Sequence, residues 1–193
     1  MAHSLGSGRL VAATAEGVTI FEGSLPAQNL FALHGLINNH VYSATSLNGR
    51  TYLGTLGGMS VLENAQIMFS WNTSNSGLAA NWINALTTLR GKVFVGTYGG
   101  GIQSVDTNGQ WTDYGAILGK FEVNPNAMAV DGDRLYVGTL DRGFFVYDSS
   151  QERWQQIRDG LPSQNVTTFA FNSGTVLVGT DRGVVRIQKE VIE

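Results

Sequence analysis

Val176-Leu177-Val178-Gly179-Thr180 decides how this chain is read, because the same phrase returns along its whole length. It stands as Leu135-Tyr136-Val137-Gly138-Thr139, Val93-Phe94-Val95-Gly96-Thr97 and Tyr52-Leu53-Gly54-Thr55, and in weaker form as Leu10-Val11-Ala12-Ala13-Thr14. Successive threonines lie 41, 42, 42 and 41 residues apart. Each is followed within four residues by a glycine, at Gly17, Gly58, Gly101, Gly143 and Gly183, and then by a second apolar stretch such as Phe144-Phe145-Val146-Tyr147. Two β-rich runs around a short glycine-containing tip predict a hairpin.

Further columns keep the same register. Asp106 and Asp148 open a turn that leads to Trp111 and Trp154, and each of Trp71, Trp111 and Trp154 precedes a leucine by seven residues. About fourteen residues before the threonine another strand begins, as in Val41-Tyr42-Ser43-Ala44-Thr45, Ile83-Asn84-Ala85-Leu86-Thr87 and Val166-Thr167-Thr168-Phe169-Ala170. Four strands therefore fit each repeat. The innermost carries small residues in one column (Ser43, Ala85, Ala127, Thr168), as expected where sheets crowd around an axis. Four strands with a period of 40 to 50 residues predict an all-β propeller. Helical repeats do not fit, because glycine and β-branched residues interrupt every long stretch.

The expected organisation is a single domain over residues 1–193, with repeats at about 1–40, 41–82, 83–124, 125–165 and 166–193. This describes about five four-stranded blades. The last lacks its outer strand, since a fifth tryptophan would fall beyond Glu193. Such a ring closes either by packing the first blade on the last or as part of a larger ring. Open blade edges would also let copies of the chain associate. Lys189 to Glu193 is the candidate for a short substitute for the missing strand.

The segment from Trp154 through Asp159-Gly160-Leu161-Pro162-Ser163-Gln164-Asn165 to Val176-Leu177-Val178-Gly179-Thr180 resembles the repeat of two-component-regulator propellers. Kelch repeats share an Asp-to-Trp turn but end the corresponding strand in Gly-Gly. The resemblance implies an extracytoplasmic sensor module that binds a small ligand, glycan or protein, with no residue-level binding motif to carry over. The tryptophan usual in that family's Gly-Thr strand is replaced here by Val11, Tyr52, Phe94, Tyr136 or Leu177.

Composition narrows the chemistry. A formal charge of −3 with 14% charged residues offers no basic footprint for nucleic acid. No apolar run reaches the length of a membrane helix, and the first residues lack the pattern of a secretion signal. There is no cysteine, and His3, His34 and His40 are not spaced as a metal set, so no metal or cofactor is expected. Hydrolysis of glycosides needs two facing carboxylates. The inner strands carry none, while Glu16, Asp141 and Asp181 belong to hairpin tips. A non-enzymatic role is expected; a hydrolase or lyase would have to draw its acids from those tips.

Binding candidates come from the loops that topology gathers at one mouth of a propeller. These are His40, Asn81, Trp82, Phe121 and Asn165 from the connections between repeats, with Tyr98, Arg142 and Arg182 from the hairpin tips. Trp82, Tyr98 and Phe121 are unlike their counterparts in other repeats. They either stack a ligand beside the asparagines or plug the mouth of the channel.

Overall fold

The computed structural model describes residues 2–6 and 9–192. Every sheet in it is an antiparallel meander in strand order. The first comprises β1 (Ala2–Gly6), β2 (Arg9–Thr14), β3 (Gly17–Glu22) and β4 (Leu25–Leu30). The second comprises β5 (Val41–Leu47), β6 (Arg50–Thr55), β7 (Met59–Glu63) and β8 (Gln66–Trp71). The third comprises β9 (Ile83–Leu89), β10 (Lys92–Thr97), β11 (Gly101–Asp106) and β12 (Trp111–Asp113), with the single-turn helix α1 (Gly115–Leu118) behind it. The fourth comprises β13 (Val123–Asp131), β14 (Arg134–Thr139), β15 (Phe144–Asp148) and β16 (Arg153–Ile157). The fifth holds three strands, β17 (Val166–Phe171), β18 (Thr175–Thr180) and β19 (Gly183–Gln188). The result is an all-β, propeller-like arrangement of five sheets of three or four strands.

The repeated Gly-Thr has a physical cause at each of its two positions. The hydroxyls of Thr14, Thr55, Thr97, Thr139 and Thr180 all donate to the carbonyl of the glycine that ends the tip, at 3.0, 2.8, 3.1, 2.7 and 2.8 Å. Each threonine thus clamps its own hairpin, as hydroxyl side chains do in local turns. The preceding glycine is the point where the next sheet approaches. A Cβ on Gly54 would sit 2.6 Å from Ile83 Cγ2, and one on Gly96 would sit 2.6 Å from Val123 Cγ1. On Gly138 it would run into the carbonyl oxygen of Val166.

Alternation along these strands then builds the core. Of the adjacent pair Tyr52 and Leu53, Leu53 packs with Val11, Val18 and Val41 at the junction with the first sheet. Tyr52 packs with Ile83, Val93 and Val95 of the third. Phe94 and Val137 share the next junction, Tyr136 and Val178 the one after. Each core is a seam between consecutive sheets, with side chains of period two feeding the seams on either side. Among the described residues no such seam joins the fifth sheet to the first. The column that follows the tip glycine shows the consequence: Val18, Met59, Ile102 and Phe144 are at most 1% exposed, whereas Val184 is 68% exposed.

Lys189–Ile192 forms a 3-10 turn and not a fourth strand. It inserts Ile192 into the last seam, and Lys189 Nζ pairs with Asp131 Oδ2 at 2.6 Å.

One irregularity breaks the repeat. Between Val41 and Ser43 of β5, between Ile83 and Ala85 of β9 and between Val166 and Thr168 of β17, one residue bulges from the ladder. In β13 the ladder leaves at Val123 and resumes at Met128, two residues more than in β9. The fourth sheet accordingly starts at Val123, earlier than the even spacing places it. Asn126 adopts a left-handed φ of 55° within this wide bulge, a conformation asparagine tolerates better than most residues.

Candidate functional site

The hydrogen bonds at the Gly-Thr end of the sheets create two columns of rim residues. The residue before each inner strand accepts, through its carbonyl, from the amide of the residue after the Gly-Thr strand. The pairs are His40 with Leu56 (3.2 Å), Trp82 with Tyr98 (2.8 Å), Glu122 with Leu140 (3.1 Å) and Asn165 with Asp181 (3.2 Å). His40, Trp82 and Asn165 therefore occupy equivalent places on one rim, as the sequence places them. Glu122 is the fourth member.

The backbone bond between Trp82 and Tyr98 brings their rings together. The centroids lie 4.5 Å apart with 23° between planes, and Tyr42 approaches Trp82 at 6.0 Å. Stacking usually hides aromatic surface, yet Trp82 remains 37% and Tyr98 43% exposed. Beside them a cleft of about 170 Å³ runs between the third and fourth sheets. Trp82, Asn84 and Tyr98 form one wall; Glu122, Val123, Asn124, Pro125 and Leu140 form the other. The second wall includes the wide bulge of β13, so the two extra residues help to shape the cleft.

Asn84 and Asn124 occupy corresponding positions, each following the first paired residue of its inner strand. Asn84 Nδ2 donates to the Val123 carbonyl at 2.7 Å. That contact fixes the amide orientation, because a carbonyl can only accept. Asn84 is 2% exposed, and its Oδ1 has no hydrogen-bond partner. Asn124 makes the equivalent bond to the Val166 carbonyl at 2.7 Å, and its Nδ2 also reaches the Thr139 carbonyl (2.9 Å) and Asn165 Oδ1 (2.8 Å).

The remaining candidates go elsewhere. Phe121 does not join the exposed rings: it is 5% exposed, stacks on Phe145 at 4.8 Å and carries the Arg142 guanidinium over its face at 5.7 Å. The loop containing α1 turns this residue into the seam, which its place in the connection between repeats does not reveal. Asn81 Oδ1 accepts from the Thr73 amide at 2.8 Å and braces the preceding loop. The amides of Arg142 and Arg182 donate to the clamping hydroxyls of Thr139 and Thr180. Arg182 is exposed on the last tip and His40 in the connection before β5. His3 belongs to a segment whose side chains lie outside the described residues.

Sequence reasoning passes over Asn84, Glu122, Pro125 and Leu140. The signal that marks them is the excess of residues between Val123 and Met128, visible as a wider gap before the fourth Gly-Thr. As for chemistry, Glu122 is the sole carboxylate lining the cleft among the described residues. Acid-base hydrolysis of a glycoside would require a second one facing it. Glu16, Asp141 and Asp181 are exposed at tips. Among the described residues no three His, Asp or Glu side chains gather in the manner of a metal site. Among the described residues no helix is long and apolar enough to cross a membrane.

The fold belongs to the class of propeller-like all-β proteins, and solved structures of this class superpose on the chain. One is the extracellular domain of a hybrid two-component system of B. thetaiotaomicron, with a TM-score of 0.80 and 16% identity over 100% of this chain and 28% of that one. Another is the extracellular domain of a one-component system of the same organism, with a TM-score of 0.74 and 21% identity over 93% and 26%. A third is the WD40 β-propeller domain of Doa1, with a TM-score of 0.67 and 15% identity over 93% and 60%. The chain thus spans about a quarter of the length of the two extracellular domains. No family model matches the sequence, and none of the curated proteins does.

Proposed function

We propose that the chain is a non-enzymatic binding or sensor module of the propeller type, and that its ligand site is the cleft beside Trp82 and Tyr98. In this reading the five sheets are five successive blades, the last without an outer strand, and the module works outside the cytoplasm. The extracellular domains of a two-component and a one-component system that share its fold support that placement. One observation carries the site: a stacked aromatic pair left more than a third exposed, against a cleft lined by a buried asparagine with an unpartnered acceptor. Concave sites with exposed rings and a few fixed polar atoms are the usual form of small-ligand pockets.

The test is a ligand screen by tryptophan fluorescence on the chain and on Trp82→Ala. A ligand that quenches the first and not the second, while both melt within a few degrees of each other, is the expected result. Loss of the folded state in Trp82→Ala would show the ring to be part of the core.

A second reading is self-association through the fifth sheet. Val184 and Leu177 stand exposed in columns that are buried in every other sheet, and a groove of about 340 Å³ runs along β19. Exposed sheet surfaces of this kind invite pairing. Sedimentation over a range of concentrations decides it: a species heavier than 20.7 kDa that Val184→Lys dissociates supports association, and a monomer throughout refutes it.

A further inference from the structure

We infer that the chain associates head to tail with a second copy of itself, the free face of the fifth sheet in one copy packing on the free face of the first sheet in the other. This inference deepens the reading of self-association through the fifth sheet and rests on it.

The existing seams define what such a contact looks like, because in each of them fixed columns of one sheet meet fixed columns of the next. Phe94 and Ile102 of the third sheet pack with Leu135 and Val137 of the fourth. Tyr136 and Phe144 of the fourth pack with Val176 and Val178 of the fifth. The two terminal sheets each hold one unmatched half of this arrangement. Leu177 and Val184 stand in the columns of Tyr136 and Phe144 but meet no following sheet, and they are 36% and 68% exposed. At the other end, Leu10 and Ala12 stand in the columns of Val176 and Val178, and among the described residues no seam includes them. Both are only half-buried, whereas the residues that share their columns in the other sheets are at most 3% exposed.

The two faces complete one another. In the first sheet the ladder sets Leu10 beside Phe21 and Ala12 beside Thr19, and Phe21 beside Pro26. Cross-strand partners share a face, so this is a mainly apolar patch with no charged residue among these pairs. In the fifth sheet Leu177 lies between Ala170 and Arg186, and Val184 lies beside Gly179. One terminal sheet thus offers the leading half of the repeated contact and the other the trailing half. Continuing the series joins sheet five to sheet one. Two fifth sheets set face to face would instead press like columns together and bring the Arg186 side chains of both copies into one interface, where like charges repel. Within one chain the two halves do not meet, so a second copy supplies the match. The contact is heterologous, of the kind that closes into a ring or runs on as a chain of copies. Its driving force is the removal of exposed apolar sheet surface from water.

The experiment is analytical ultracentrifugation of the full chain, of Val184→Lys, of Ala12→Asp and of an equimolar mixture of the two variants, with thermal melts of each. The unaltered chain is expected to form a species heavier than 20.7 kDa. Each variant alone should melt within a few degrees of it and dissociate, its dissociation constant raised about tenfold or more because a lone charge enters an apolar seam. The mixture should associate again, since the introduced lysine of one chain meets the introduced aspartate of the other. If Ala12→Asp does not fold, Thr19→Asp, its ladder neighbour on the same face, takes its place with the same expected result. Association that Val184→Lys abolishes and the first-sheet variant leaves intact would overturn the head-to-tail contact while self-association through the fifth sheet stands. Failure of the mixture to associate would also overturn the direct apposition of the two faces. A monomer at every concentration overturns both this inference and the reading on which it rests.

Discussion

Two junctions of this molecule begin from the same plan and end differently. Where the fourth sheet meets the fifth, Asn124 bonds the Val166 carbonyl, and Asn165 comes across to meet the same amide. Where the third meets the fourth, Asn84 bonds the Val123 carbonyl in the same way, but its other end is unanswered and a cleft opens beside it. The rim residue accounts for much of the difference. Asn165 offers a short acceptor that reaches its neighbour's amide, whereas Glu122 occupies the same rim place at the other junction and makes no bond to Asn84. A change in one repeat column, together with the two extra residues of β13, therefore separates a sealed seam from an open one.

The deepest cut at this contrast is Phe121→Ala. The open junction is open only at its rim, and the ring beneath it is core, so a loss of about 3 to 5 kcal/mol is expected in denaturant unfolding. A loss near zero would mean that the cleft extends down through the seam. Gly138→Ala comes next. At the sealed junction the added methyl meets a main-chain carbonyl, which cannot swing aside, so a cost of about 3 kcal/mol is expected. Gly96→Ala at the open junction meets the side chains of Val123 and Met128 instead and should cost about half as much. Equal costs would erase the distinction in stiffness.

Asn124→Ala leaves the carbonyls of Val166 and Thr139 without their donor and should cost about 2 kcal/mol. Asn84→Ala strands one carbonyl but removes an orphan, so about 1 kcal/mol or less is expected. If the two asparagines prove interchangeable, the sealed junction owes nothing to its extra bonds. Trp82→Ala belongs at the same small end, at about 1 kcal/mol, close to the worth of one partly exposed aromatic pair. Thermal melts of the variant beside wild type check it.

These contrasts also show what was readable in advance. The period of the Gly-Thr phrase, and with it the succession of sheets, follows from two local requirements that no other residue meets as well: a hydroxyl to clamp the tip and a bare backbone where the next sheet arrives. The threonine recurs in every repeat and the glycine in all but the first, where Ala13 stands, so both are visible in one sequence. The cleft leaves no repeated mark, because it exists where the pattern fails. Two additional residues before Met128 change the shape of one rim, and a repeat reading absorbs them as a spacing error. Phe121 was misplaced for a related reason: its loop is the one with a helical turn, and α1 sends the ring inward where an ordinary connection would have left it on the rim.

The threonine clamps carry a last implication. Since each tip is held by a threonine hydroxyl, a glycine carbonyl and backbone amides of the tip, the side chains between them do not hold the hairpin together. Leu56-Gly57, Tyr98-Gly99-Gly100 and Asp181-Arg182 have diverged in length and chemistry on identical supports. A scaffold built this way can rewrite its contact face one tip at a time, and the loops of one repeat are candidates for transplantation onto another without redesign of the sheets beneath.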